Sequence, residues 1–153
     1  MWDSIVEDMS PYHPIQRGFG GSRFSDLAIY ADRIITPHQF QAVCIFVAND
    51  ISGKSNDKTP EEVAKLFTYF HGKIRAHNPE APIFYIAVTP TKARADVWQS
   101  AKAANSAIRD ICQQTKRTFF IGTESIFLDS DGNSKLEYFI DDELHLNEIG
   151  YDL

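Results

Sequence analysis

Two unbroken apolar runs decide what this chain can fold into: Ala42-Val43-Cys44-Ile45-Phe46-Val47-Ala48 and Pro82-Ile83-Phe84-Tyr85-Ile86-Ala87-Val88. Each has strand length and neither alternates with polar residues. Each therefore reads as a strand buried on both faces, as in the interior of a parallel sheet. Parallel neighbours cannot be joined by a hairpin and need a crossover, usually a helix. The sequence supplies the helices. Thr59-Pro60-Glu61-Glu62 offers a capping Thr, a Pro at the first helical position and a Glu that completes a capping box. Val63, Leu66, Phe67, Phe70 and Ile74 then form one apolar stripe. A second stripe, Val97, Ala101, Ala104, Ile108 and Ile111, predicts a long helix over residues 94–114, and residues 118–122 read as the next strand.

Upstream, Leu27, Ile29, Tyr30, Ile34 and Ile35 predict a helix over residues 25–35, and Trp2, Ile5, Val6 and Met9 a short opening helix ended by Pro11 and Pro14. Strands alternating with amphipathic helices imply right-handed crossovers and an α/β domain, its parallel sheet covered by helices on both faces. At 153 residues the chain is one domain, able to bury about two thirds of its unfolded surface. Its net charge of -6 argues against nonspecific nucleic-acid binding, which needs a basic face. No apolar run approaches the length of a membrane span. Met1-Trp2-Asp3-Ser4 lacks the pattern of a signal peptide, so the expected location is the cytoplasm if Met1 is the true start and outside it if a signal was lost with the N-terminus. Cys44 and Cys112 lie far apart and are expected to be reduced and buried.

In an open α/β sheet the functional groups collect where strands end. Asp142 stands three residues before His145, on a loop ahead of an apolar turn. Such a carboxylate can take the proton of one imidazole nitrogen and leave the other as a general base. Taken alone, the pair also reads as a capped loop with a surface His. Gly20-Gly21 is either a tight turn or a bare backbone N–H open to a substrate oxygen. Asn49 follows the first apolar run and either bonds a neighbouring loop or aims its amide at that same oxygen. Other motifs lead nowhere. Residues 129–133 lack the spacing of a calcium loop, Gly53-Lys54-Ser55 lacks that of a phosphate loop, and His13, His38, His71 and His77 have no second ligand nearby for a metal.

Together these blocks resemble the SGNH (GDSL-type) hydrolase family. Its second block is matched by Arg17-Gly18-Phe19-Gly20-Gly21-Ser22, its third by Val47-Ala48-Asn49-Asp50 and its last by Asp142-Glu143-Leu144-His145-Leu146-Asn147. The resemblance implies a flavodoxin-like three-layer α/β/α sandwich that hydrolyses esters through an acyl-enzyme, without metal or cofactor. It implies His145 as general base, Asp142 as its orienting partner, and Gly21 and Asn49 as oxyanion donors. The third block departs from the family by carrying Val47 where Gly is usual. The first block, a strand ending in Gly-Asp-Ser or Gly-Ser-Ser, is absent, and with it the nucleophile. Ser4, Ser10, Ser22 and Ser25 are not at the matching position.

The single domain is accordingly expected to be incomplete at both ends, lacking its central strand and final helix. Four strands are then expected, with the piece before Gly18 and the 43–47 strand either paired with each other or separated by a gap. The substrate expected from the resemblance is a small acyl ester, an acetylated carbohydrate or a lysophospholipid. The alternative is a catalytically silent domain that binds an acylated sugar or lipid. Specificity is expected to reside in the polar, flexible loop at 53–58 and in residues 89–98.

Overall fold

In a computed structural model of the protein, residues 10–153 are described; the opening helix expected over residues 2–9 lies outside them. The order is α1 (Phe24–Ile35), β1 (Val43–Ile45), α2 (Pro60–His77), β2 (Ile83–Ile86), α3 (Trp98–Gln114), β3 (Thr118–Ile121), α4 (Glu124–Phe127) and α5 (Glu148–Tyr151). Three strands form one parallel sheet in the order β1-β2-β3, with Val43 opposite Ile83 and Ile83 opposite Thr118. This is the α/β fold expected from the alternation of strands and helices.

The start of α2 follows its local sequence. Thr59 Oγ1 accepts from Glu62 N–H at 3.2 Å while Glu62 Oε2 accepts from Thr59 N–H at 2.8 Å, with Pro60 in the first turn. Two otherwise orphaned donors are satisfied this way, a stabilisation of about 1 kcal/mol. The apolar stripe behind the cap packs on the sheet. Phe24, Phe67, Ile74 and Ile108 from the three long helices meet Ile45, Ile83 and Tyr85 in one core. The Phe67 and Tyr85 rings pack edge to face with centroids 5.3 Å apart. Burying each such side chain contributes about 1.5–3 kcal/mol.

That core lies on one face of the sheet. On the opposite face Cys44, Phe46, Phe119 and Ile121 are exposed among the described residues. Burial on both faces, expected for the two apolar runs, therefore holds only in part, and the expected burial of Cys44 is corrected. Cys44 points away from α1–α3, whereas Cys112, on the inner face of α3, is buried and its thiol is pushed up to about 11 by desolvation.

The expectation of four strands is also corrected. Ile15, Gln16 and Arg17 form no strand; their side chains are exposed and Arg17 reaches His38 Nε2 at 2.9 Å. A segment that buries nothing gains little from pairing, since strand pairs are stabilised by their facing side chains. Consequently β1 pairs with β2 alone among the described residues, and its other edge is open. Nor is the predicted 94–114 helix continuous. Residues Lys92–Val97 form a 3-10 segment in which Arg94 has φ -122° and ψ 24°, and regular helix begins at Trp98.

The loop read as flexible has a definite architecture instead. Asp57 Oδ2 accepts the N–H groups of Ser52, Gly53 and Lys54 at 2.7, 2.6 and 3.2 Å, and Oδ1 accepts from Ser52 Oγ. Desolvation by burial pushes the Asp57 carboxyl up, but these bonds together outweigh it and hold the group below the usual carboxylate range.

Candidate active site

The glycine turn sits immediately before α1. Ser22 N–H donates to Phe19 O at 3.3 Å, closing a turn in which Gly21 has φ +79°. L-residues rarely adopt that angle. A Cβ built on Gly21 would meet nothing within 4 Å, so conformation rather than crowding requires the glycine. Its N–H donates to no group among the described residues.

Asn49 brings the tip of β1 to this turn. Its Nδ2 donates to Ser22 O at 3.2 Å, so the bland reading of a loop-bonding Asn is met. A second contact fixes the amide on its other side: Arg94 Nη2 donates to Asn49 Oδ1 at 2.9 Å, while Nη1 donates to Ala48 O at 2.5 Å. A guanidinium only donates and a backbone carbonyl only accepts, so the chemistry allows a single orientation of the amide. One N–H of Nδ2 is used by Ser22 O, and the other has no partner among the described residues. Asp50, the next residue, is buried; its Oδ2 accepts the Phe24 N–H at 2.9 Å and its Oδ1 lies 3.5 Å from Lys58 Nζ. Burial pushes this carboxyl up, opposed by the Phe24 N–H and the Lys58 ammonium. The glycine turn, the start of α1 and the end of β1 are thus tied at adjacent residues.

Asp142 and His145 meet as their spacing implies. Asp142 Oδ2 lies 2.5 Å from His145 Nδ1, and Oδ1 accepts the N–H groups of Leu144 and His145 at 2.9 Å each. Those bonds, led by the His145 N–H, hold the Asp142 carboxyl at about 2. An ionised carboxylate only accepts, so Nδ1 carries the proton and Nε2 presents its lone pair. Both side chains are 43% exposed. The turn that carries them is closed by Ile140 N–H to His145 O, with Glu143 at φ +54°. Behind it, Asn147 caps α5 through Gly150 N–H and donates to Glu137 O. A Cβ on Gly150 would lie 2.3 Å from Tyr138 O, so only glycine lets α5 seat against residues 136–138.

No hydrogen bond joins His145 to Gly21 or Asn49 among the described residues; the two pairs are connected through the segment after β2. Arg94 grips Asn49 and Ala48, Ala93 N–H donates to Glu143 O at 3.2 Å, and Lys92 Nζ lies 2.8 Å from Glu143 Oε1. Sequence reasoning missed this bracket because residue 94 was counted into a continuous helix. On the other side, Arg23 donates to Asn56 O and Oδ1, fastening the 52–57 loop beside the glycine turn. A groove of about 750 Å³ at the end of β3, lined in part by Arg109, Phe120, Glu124 and Asp129, contains none of Gly21, Asn49, Asp142 and His145.

The fold is an α/β domain whose candidate chemical groups all lie on loops. The chain belongs to the GDSL-like lipase/acylhydrolase family, whose model matches residues 2–153. No curated protein matches it. Among solved structures it is similar to a GDSL-like lipase from Bacteroides thetaiotaomicron, with a TM-score of 0.79 at 14% identity, over 98% of this chain and 77% of that one. It is also similar to a carbohydrate esterase of family 3 from Talaromyces cellulolyticus, with a TM-score of 0.69 at 19% identity, over 88% of this chain and 63% of that one. A family 3 carbohydrate esterase from Clostridium thermocellum gives a TM-score of 0.66 at 23% identity, over 89% and 62%. At these identities the likeness is one of fold.

Proposed function

We propose that this chain supplies the general base and oxyanion donors of a serine-type ester hydrolase acting on small acyl esters, acetylated carbohydrate or lysophospholipid. The observation that carries the reading is the His145–Asp142 contact, which leaves Nε2 as a base, on a fold that also presents a Gly21 N–H without a partner among the described residues and an oriented Asn49 amide. In the reaction, a serine hydroxyl attacks the ester carbonyl as His145 Nε2 takes its proton. The tetrahedral oxyanion is held by Gly21 N–H and Asn49 Nδ2–H. His145 then gives the proton to the departing alkoxide, and water releases the acyl group by the same steps.

The serine itself must come from outside the matched blocks. A strand ending in it would find ladder partners at the edge of β1 that pairs with no other strand among the described residues. The loop at 53–58 and the segment at 89–98 flank the glycine turn and Asn49, which supports their role in choosing the substrate. A second reading, a silent domain binding an acylated sugar or lipid, is favoured by the absence of a Gly-x-Ser strand from the sequence.

The test is p-nitrophenyl acetate hydrolysis by a serine-bearing form of the protein, in which a strand ending in Gly-Asp-Ser is joined ahead of residue 1. The expected result is turnover that His145→Ala lowers by about a hundredfold or more, the range for loss of a general base. Equal rates in the two proteins would remove His145 from the mechanism, and no turnover would favour the binding domain.

A further inference from the structure

We propose that Arg94 is the positioning residue of the oxyanion donor, its guanidinium holding Asn49 so that the Nδ2–H left over faces the Gly21 turn. The inference rests on the reading of Asn49 as that donor. Four observations carry it. First, the guanidinium spans two acceptors of the same strand end, Ala48 O at 2.5 Å and Asn49 Oδ1 at 2.9 Å, across 45 residues of sequence. Second, the backbone leaves helical geometry at Arg94, at φ -122°, within a segment whose apolar spacing predicts continuous helix. Third, the side chain is partly buried, and desolvation lowers its pKa against the opposing pull of the Asp57 carboxylate. Fourth, the adjacent Ala93 N–H is bonded to Glu143 O, so the same segment touches the turn that carries Asp142 and His145.

The physical consequences are specific. A bare Asn at a strand tip can rotate its amide, and either end can face the solvent. With a donor-only group on Oδ1, the flipped state would set guanidinium N–H against amide N–H and is disfavoured. A charged donor on the carbonyl oxygen also polarises the amide and strengthens what Nδ2–H can give to an oxyanion. Arg94 therefore acts through Asn49 and need not touch substrate. Lys would be an incomplete replacement, because its ammonium lacks the rigid fork that meets two acceptors at once.

The experiment uses the 153-residue chain, isotopically labelled and followed by NMR, with Arg94→Met and Arg94→Lys. Met keeps an apolar stem and removes every donor. Backbone amide protection at Ile83, Tyr85 and Ile108 reports whether each variant keeps its fold. Without ligand, the Asn49 side-chain N–H₂ signals are expected to shift in Arg94→Met and to exchange with water about tenfold faster, core protection being unchanged. Arg94→Lys should recover part of that difference. Unchanged Asn49 signals in Arg94→Met would overturn the inference, as would loss of core protection in both variants, which would make Arg94 a folding residue. Acetate is then titrated as a carboxylate probe. Perturbation of Gly21 N–H and Asn49 Nδ2 in the parent, weakened about tenfold in Arg94→Met, supports both steps. If acetate moves neither signal in the parent, the reading of the site fails, while the ligand-free spectra still decide the role of Arg94.

Discussion

Asp142 holds His145 with both carboxylate oxygens: Oδ2 meets Nδ1 at 2.5 Å, and Oδ1 takes the backbone N–H of the same His145 at 2.9 Å. The folded carboxyl, at about 2, lies below its unfolded value of about 3.9, so its contribution is fully present above the unfolded value. It is lost as pH falls through about 2. A carbon-detected NMR titration of the Asp142 carboxyl should give that low midpoint, and an ordinary value near 4 would mean the contact does not persist in solution.

Asp142→Asn tests what the carboxylate does for the imidazole. The fold should be retained, because the altered side chain is exposed, but the preference for a proton on Nδ1 should weaken. Nitrogen shifts of the His145 ring read the tautomer directly. In the serine-bearing protein the same change should lower ester turnover by a factor of about a hundred to ten thousand.

Two glycines should respond to alanine for different reasons. At Gly150 the new methyl would lie 2.3 Å from Tyr138 O and 3.1 Å from Leu146 Cδ2, an overpacking that costs about 1–3 kcal/mol. Amide exchange should accelerate across residues 138–147. At Gly21 the methyl meets nothing within 4 Å, and the cost is the backbone strain of φ +79°, about 1–2 kcal/mol. Denaturant midpoints measure both, and exchange mapping separates them.

A buried cluster away from the site should make stability depend on pH. His71 Nε2 lies 2.9 Å from Thr118 Oγ1, which also accepts from Arg75 Nη2 at 3.1 Å. Burial, followed by the Arg75 charge, lowers the His71 pKa. The unfolded chain therefore binds the extra proton first. Stability is fully present above the unfolded value of about 6.5 and falls as pH drops below it through the folded value. Thr118→Val should cost about 1–3 kcal/mol by leaving buried partners unsatisfied, measured at neutral pH by urea unfolding.

What could be read from the sequence was what is local or what travels in blocks. Thr59, Pro60 and Glu62 announce the start of α2 because a cap is made by neighbours. Asp142 and His145 meet because their bond closes a single turn. Arg94 was invisible because its spacing fits the α3 stripe, while its position is set by Asn49, far away in sequence. Cys44 was misplaced because an apolar run does not say how many faces a helix will cover. Asp57 was overlooked since its work is done on backbone N–H groups, which carry no residue code. That residues 15–17 form no strand has the same origin: Ile15 is apolar, but only burial makes an extended piece into a strand.

The most direct test is reaction of the serine-bearing protein with a fluorophosphonate, followed by mass spectrometry of the adduct. A fluorophosphonate reacts rapidly only where a serine, a base and donors for an oxyanion already face one another. A single modified serine is expected, with labelling slowed about a hundredfold or more in both His145→Ala and Asn49→Ala. Labelling at equal rates in those variants, or none in the parent, would contradict the proposed convergence of Gly21, Asn49, Asp142 and His145 on one site.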